Sequence, residues 1–306
     1  MAVYTDLNKN DFNIILQQYD LKLVSFYKIK NGILNTNYFL DTDSGKYVLR
    51  VFEGGRAFEE ENLELDFLLN LKDVVPCCVP VKTINGINYI VYKNKMMALF
   101  HFISGEPIKK IDKNIISQIG GYIGKMHYYS RGKKLNRSSR IDMNFYYRNI
   151  DFDKLDIDPD DKKKIISAYE EIKDVDYSFC AQGIIHNDIF PDNVFVSDGK
   201  IVGILDFNES QTGPLIFDLA IVINYWIKIN NFPKEIETDL IITFLRSYHL
   251  ENIFLSQEEL DILPKAILKM AVTFILLRLY KFNVENNKDF LIEDKNYKQL
   301  MPLLEK

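Results

Sequence analysis

The sequence predicts an α+β chain in two lobes: a small antiparallel-sheet lobe over residues 1–101 and a larger, mostly helical lobe over residues 102–306. Three observations predict it. Short strand-like runs separated by turn residues crowd the first part of the chain, with one long helical run among them. From Asp112 onward the apolar spacing becomes helical. No internal repeat or low-complexity tract imposes another division.

Taken in order, Phe12, Ile15, Leu16 and Tyr19 fall at helical spacing after Asn8, a residue suited to capping a helix. Two β-rich runs follow, Leu21 to Lys30 and Asn37 to Asp41, and the turn Asp43-Ser44-Gly45 leads into Tyr47 to Phe52. Phe58 to Leu71 is a predicted helix carrying several acids. Pro76 and Pro80 interrupt the chain, the Asn85-Gly86 turn is expected to join two strands, and Met96 to Ile103 is apolar and extended. Five strands around one helix describe the small lobe. In the second lobe, Ile115, Ile116, Ile119, Ile123 and Met126 form one amphipathic face with Asp112 as its cap. Between Ser130 and Arg140 lie five basic residues and no acid, the composition of a surface loop. Asp158-Pro159 opens a helix, since proline is tolerated at the first helical position. Three more helices are expected over Pro214 to Ile229, Pro233 to Tyr248 and Leu263 to Phe282.

The bulk composition narrows the function classes. At 306 residues, 47% apolar and 26% charged, the chain can bury one large or two modest cores. A net charge of −5 argues against nucleic acid as the main partner. The three cysteines, the adjacent Cys77-Cys78 and the separate Cys180, have no metal-ligand spacing and suggest a reducing compartment. Asp6, Lys9 and Asp11 interrupt any secretory leader, and the apolar stretch Met270 to Leu277 is too short to span a bilayer. A cytoplasmic protein acting on a small molecule is expected, with neither nucleic acid nor membrane as partner.

The chemistry concentrates in Gly183 to Val196, which reads Gly-Ile-Ile-His-Asn-Asp-Ile-Phe-Pro-Asp-Asn-Val-Phe-Val, and in the apolar run Lys200 to Leu205 that ends at Asp206-Phe207. Phosphoryl transfer from a magnesium nucleotide needs one carboxylate to accept a hydrogen bond from the attacking hydroxyl. It also needs a second carboxylate and a neutral oxygen to hold the metal on the phosphates. Asp188 is the candidate base, Asn193 and Asp206 are the candidate magnesium ligands, and His186 supports the loop. Asp and Asn favour turns in any protein. Their order here, with an apolar strand before the last acid, makes a set of unrelated turn formers a poor explanation.

Other residues complete the pattern less specifically. Arg50, in the strand Tyr47 to Phe52, stands where a kinase needs a cation on the α- and β-phosphates, unless it is a solvated strand-edge charge. Glu60, Glu61 and Glu64 compete as its partner, with Glu64 preferred. The segment Asn31 to Asn37 holds one glycine; Asn35, Thr36 and Asn37 could donate to phosphate oxygens, although a plain hairpin turn explains it equally well. Asp218 reads as an acid that receives backbone amides of the catalytic loop, though an ordinary acid at a helix start would look the same. Tyr225-Trp226 and Arg278-Leu279-Tyr280 either line an acceptor pocket or belong to the core. A catalytically silent nucleotide-binding regulator is the alternative of another class.

Gly183 to Val196 together with Ile204 to Asn208 resemble the aminoglycoside phosphotransferase and choline kinase superfamily. The opening Met1 to Thr5, the segment Gly32-Ile33-Leu34-Asn35-Thr36-Asn37-Tyr38-Phe39, and Leu277-Arg278-Leu279-Tyr280 extend the resemblance, within it, toward the bacterial homoserine kinases. The resemblance implies a protein-kinase-like fold and transfer of the ATP γ-phosphoryl group to the side-chain hydroxyl of L-homoserine, toward threonine. It implies Asp188 as catalytic aspartate, Asn193 and Asp206 as magnesium ligands, Arg50 as phosphate-binding cation, and the backbone from His101 to Ile103 as adenine-binding hinge. The chain departs from the family pattern just after Asp206-Phe207, where aromatic residues are expected and Asn208-Glu209 stand, on the acceptor side. Glu209 is a candidate for the acceptor's ammonium group and Arg278 for its carboxylate. Acceptors such as an aminoglycoside, choline or an amino alcohol remain open.

Overall fold

The computed structural model describes residues 5–29, 35–251, 253–284 and 296–305. The opening Met1 to Tyr4 and most of the Asn31 to Asn37 segment, up to Leu34, lie outside the described residues. The fold is α+β and divides into two compact units, Met1–Glu106 with Val202–Asn208, and Pro107–Ile201 with Glu209–Lys306. Among the described residues no helix is long and apolar enough to cross a membrane.

The first unit begins with α1 (Lys9–Gln17). The Asn8 side chain accepts from the Asn10 and Asp11 amides while Asp11 Oδ2 accepts from the Asn8 amide, so the helix start satisfies its own orphan donors. An antiparallel sheet follows, made of β1 (Leu23–Ile29), β2 (Thr36–Thr42), β3 (Gly45–Val51), β4 (Ile90–Tyr92) and β5 (Lys95–His101) in the order β1-β2-β3-β5-β4. Period-2 alternation sends Tyr47, Leu49 and Val51 to one face, where they join Phe12, Ile15, Leu16, Tyr38, Leu40, Met97 and Leu99 in a closed core. Each such side chain contributes about 1.5–3 kcal/mol on burial. Helix α2 (Phe58–Leu71) buries Leu65, Leu68 and Leu71, and with them Glu61 and Glu64.

One expected hairpin is misplaced. The Asn85-Gly86 turn does not join two strands; it closes on Thr83, whose hydroxyl accepts from the Ile87 amide. The segment before it makes two isolated bridges, Cys77 with Ile204 and Pro80 with Phe100, and no ladder, because proline has no N–H to extend one. The hairpin instead turns at Lys93-Asn94, both with positive φ (51° and 59°), as a two-residue turn between right-twisted strands requires.

The second unit is mostly helical. A two-residue strand, β6 (Glu106–Pro107), precedes α3 (Lys113–Ser130), which Asp112 caps, and then come α4 (Met143–Asn149) and α5 (Pro159–Ile172), capped by Asp158 with proline in its first turn. Strand β7 (Gln182–Ile185) leads into the catalytic segment, β8 (Val194–Ser197) and β9 (Lys200–Ile204) turn at Asp198-Gly199, and β10 (Gln211–Pro214) pairs antiparallel with β7. Helices α6 (Ile216–Val222), α7 (Lys234–His249) and α8 (Gln257–Asn283) complete it.

Three further expectations change. The helix expected from Pro214 starts at Ile216, because the preceding residues pair with β7, and it widens into a π-type turn over Ile223–Ile227. Helix α8 starts before Leu263, at Gln257, where Ser256 and Glu259 cap each other reciprocally. That cap and the packing of the helix outweigh the single hydrogen bond lost at Pro264. The basic segment 131–140 is a loop but not wholly a surface one, since Leu135 and Arg137 are buried and the Leu135 amide donates to Thr212 Oγ1 at 2.8 Å.

A buried carboxylate organises this unit. Asp218, at the start of α6, accepts from the His186 and Asn187 amides at 2.8 Å each, and His127 Nε2 of α3 lies 3.0 Å from it. The Tyr248 hydroxyl of α7 meets His127 Nδ1 at 3.0 Å. Burial alone would raise the Asp218 carboxyl, but the His127 hydrogen bond, the nearby histidine charges and the Asn187 amide hold it below its ordinary 3.8. Nearby, α3 and α7 approach so closely that a Cβ at Gly120 would come within 2.6 Å of the Phe244 carbonyl oxygen.

Two outcomes follow for stability. A carboxyl depressed in the folded state contributes above its unfolded value, and that contribution is lost as pH falls through the folded value. Asp218→Asn should therefore cost about 3 kcal/mol near neutral pH in urea unfolding. The gap to the parent should narrow as pH falls below 3.8, and a gap that stays constant there would show that the charge contributes nothing. Gly120→Ala gains about 1 kcal/mol of helix propensity but meets a backbone carbonyl that cannot swing aside, so a net loss of about 1–2 kcal/mol is expected with an unchanged m-value.

Candidate functional site

The catalytic segment is held from three sides, all within the second unit. Behind it, Asp218 takes the His186 and Asn187 amides, and Asn187 adopts φ = 63°, a left-handed conformation that asparagine tolerates better than most residues. Beneath it, the Trp226 indole N–H, from the π-type turn after α6, donates to the Ile189 carbonyl at 2.7 Å. Within it, Asn193 Nδ2 donates to both the carbonyl and Oδ2 of Asp188, at 2.8 and 3.0 Å. Asp188 is half-buried with its carboxylate oriented, and the Asn193 side-chain oxygen remains as the acceptor end of that amide. His186 is fully buried, and its Nδ1 accepts from the Asp188 amide at 3.3 Å. This geometry can present one carboxylate oxygen as a hydrogen-bond acceptor and a neutral oxygen as a hard cation ligand.

Arg50, Glu64 and Asp206 belong to the first unit. Arg50 Nη1 lies 3.0 Å from Glu64 Oε1, with the carboxylate fully buried, so among the three competing glutamates Glu64 is the one that meets it. Burial would lower the guanidinium, but Glu64, Asp206, Cys78 and Glu61 more than offset it, and Arg50 stays charged. Its plane also lies over the Phe100 ring at 4.9 Å. Asp206 follows β9 with φ = 57°, and the strand before it is docked by the Ile204 amide on the Pro76 carbonyl at 2.7 Å. Burial pushes the neighbouring Cys78 thiol up to about 11, so it is inert as a nucleophile.

The remaining candidates are placed as follows. The Thr36 hydroxyl donates to Glu53 Oε1, and Asn35 Oδ1 accepts from the Glu53 amide. Asn37 is the cross-strand partner of Arg50 and shares its face. In the hinge, the His101 and Phe102 amides donate to the Val79 and Lys46 carbonyls, and the Ile103 amide has no acceptor among the described residues. Asn208 is buried and its carbonyl accepts from Arg56. Glu209 Oε1 lies 2.9 Å from Arg140 Nη2. Arg278 donates to the Asn296 carbonyl at 3.0 Å and to Gln299 at 3.4 Å; burial lowers its guanidinium, with Tyr225 and Asp192 opposing. Tyr225 and Trp226 are core residues.

His127, Tyr248, Trp226 as a loop anchor, and Arg140 escaped the reading of the sequence. Their partners lie 91, 121, 37 and more than sixty residues away, and no local pattern signals such contacts.

The phosphotransferase enzyme family (APH) matches residues 26–257. Homoserine kinases of several bacteria are similar along most of their length; that of Gluconobacter oxydans (strain 621H) is 27% identical, over 97% of this chain and 95% of its own. Among solved structures, a microcompartment-associated aminopropanol kinase superposes with a TM-score of 0.73 at 15% identity, covering 97% of this chain and 95% of its own. The spectinomycin phosphotransferase APH(9)-Ia, in complex with ADP and spectinomycin, superposes with a TM-score of 0.70 at 15% identity, covering 98% of each chain. The chain belongs to the phosphotransferase enzyme family, and it is a kinase that acts on a hydroxyl group of a small molecule.

Proposed function

We propose that the protein transfers the γ-phosphoryl group of ATP to the side-chain hydroxyl of L-homoserine, a step toward threonine. The observation that carries the reaction is the oriented Asp188 carboxylate, held by Asn193 within a loop that the buried Asp218 and Trp226 pin in place. Similarity to homoserine kinases over nearly the whole chain supports the acceptor. In this reading residues 1–101 bind the nucleotide, and residues 102–306 carry the base and the acceptor site.

The roles follow from the chemistry. The acceptor hydroxyl donates to Asp188, its oxygen forms the new bond to the γ-phosphorus, and the bond from that phosphorus to the β,γ-bridging oxygen breaks to release ADP. The hydroxyl proton passes to Asp188. Arg50, kept charged by Glu64, balances the α- and β-phosphates, with Asn37 beside it on the same face. Thr36 contributes through its backbone, since its hydroxyl donates to Glu53, whereas Asn35, whose Oδ1 accepts from the Glu53 amide, contributes through its Nδ2 donor. The Ile103 amide supplies the hinge donor for adenine. Asn193 Oδ1 and the Asp206 carboxylate are hard oxygen donors of the kind magnesium takes together with phosphate oxygens and water, and the ion would neutralise charge developing on the transferred group. His186 and Asp218 support the loop.

An amino alcohol is the second reading of the acceptor, favoured by the structural likeness to an aminopropanol kinase. A panel of L-homoserine, amino alcohols, choline and aminoglycosides assayed by ADP release separates the two, and the homoserine reading fails if another class has the highest kcat/KM. Asp188→Ala should lower kcat by roughly 10²- to 10⁴-fold while ATP affinity, measured by calorimetry, changes little. Undiminished turnover in that variant would move the base elsewhere.

A further inference from the structure

We infer that Arg278 determines acceptor specificity: its guanidinium takes the carboxylate of an amino-acid acceptor in bidentate fashion, so that the enzyme rejects amino alcohols. The inference deepens the homoserine reading and rests on it for the identity of the acceptor.

Helix α8 meets the catalytic loop through aromatic rings. The Phe274 ring packs edge-on against that of Phe190 with centroids 4.9 Å apart, and Tyr225 closes the cluster at 4.5 Å from Phe190 and 5.4 Å from Phe274. Phe190 is two residues past Asp188, and its amide donates to the Asp188 carbonyl at 2.9 Å. Arg278 follows Phe274 by four residues in the same helix, so the two side chains share a face. Its backbone therefore stands only about 6 Å along the helix axis from the contact with the loop. The acidic groups that act on its guanidinium are the Tyr225 hydroxyl of that cluster and Asp192 of that loop. All of these residues belong to the second unit.

The hydrogen bonds of Arg278 leave one edge of the guanidinium open. Its contacts to the described residues are with neutral oxygens, the Asn296 carbonyl at 3.0 Å and Gln299 Oε1 at 3.4 Å, and both use the same nitrogen, Nη1. Nε and Nη2 have no acceptor among the described residues. The N–H groups of these two nitrogens run parallel, the side-on fork that matches the two oxygens of a carboxylate. Nη1, tied to the start of the short helix Tyr297–Leu304, holds the plane, so the fork is oriented before a ligand arrives. The side chain is half-buried, and a cation that has lost part of its water and meets only neutral oxygens gains from an anion. An amino acid supplies that anion, whereas an amino alcohol leaves the fork empty. The other cations near this part of the unit are already engaged: Arg140 meets the Glu209 carboxylate at 2.9 Å, and Lys269 lies over the Tyr177 ring at 5.5 Å. A mere brace between α8 and the short helix would need Nη1 alone.

The test uses the full chain with ATP and magnesium and compares L-homoserine with 3-aminopropan-1-ol, the same molecule without its carboxylate. The wild type should favour L-homoserine by about 10²-fold or more in kcat/KM. Arg278→Gln should raise the KM for L-homoserine by roughly 10²-fold with little change in kcat, and leave the KM for 3-aminopropan-1-ol where it was. Arg278→Lys, which keeps the charge but not the fork, should recover part of the loss. ATP affinity of each variant, measured by calorimetry, confirms that it folds. Should Arg278→Gln lose ATP binding, Arg278→Lys decides by itself, with the KM for L-homoserine raised about tenfold and that for 3-aminopropan-1-ol unchanged. An equal loss on both acceptors means that Arg278 is only a brace, and it overturns the inference while the homoserine reading stands; an unchanged KM for L-homoserine does the same. A wild type whose best acceptor lacks a carboxylate overturns both. One that prefers a different hydroxy amino acid, with the same selective effect at Arg278, overturns the homoserine reading alone.

Discussion

The second unit depends on a charge kept out of water. Asp218 is fully buried, and an isolated carboxylate in that position would cost several kcal/mol at the least. The cost is offset because its acceptor capacity is filled from two directions, by the first amides of the catalytic segment and by the imidazole of α3, which is itself met by a hydroxyl from α7. If the segment shifted, two backbone donors and a charge would lose their partners together. The left-handed Asn187 is sustained by the same contacts, since backbone strain of this kind persists only where the surroundings over-determine it. Asp188 inherits its orientation from this arrangement.

The first unit contains a counterpart. Arg50 and Glu64 are held between a strand and a helix whose apolar neighbours form closed cores, and Asp206 and Glu61 add negative charge near the guanidinium. A cation so surrounded stays protonated, and its planar fork is held against the Phe100 ring instead of sampling solvent. In both units the buried charges are partnered, Asp218 by His127 and Arg50 by Glu64. The exposed pairs, such as Lys154 with Asp151, are of the kind that contributes little.

Helix α2 could be read to the residue because its apolar spacing is uninterrupted, and α1, α3 and α5 because Asn8, Asp112 and Asp158 are caps whose partners lie within three residues. The Lys93-Asn94 hairpin could not, because lysine at positive φ has no sequence signature and Asn85-Gly86 offered a better one that the prolines before it could not use. Pro264 similarly concealed the first two turns of α8. Among the candidate site residues, Thr36 had the right chemistry for phosphate, yet its hydroxyl donates to Glu53, distant in the chain.

By itself, the sequence determined the α+β class and the family, and it singled out Asp188, Asn193 and Asp206 as candidates, because the segment Gly183 to Val196 and Asp206 are spelled by residues whose order alone is specific. The tertiary structure decided which partners those side chains have: Glu64 for Arg50 rather than Glu60 or Glu61, His127 for Asp218, Trp226 for the Ile189 carbonyl, and Arg140 for Glu209. The reason is physical. Caps and periodicity act between near neighbours in the chain, whereas the partner of a buried charge is whichever group packing brings within about 3 Å, and a sequence carries no measure of that distance.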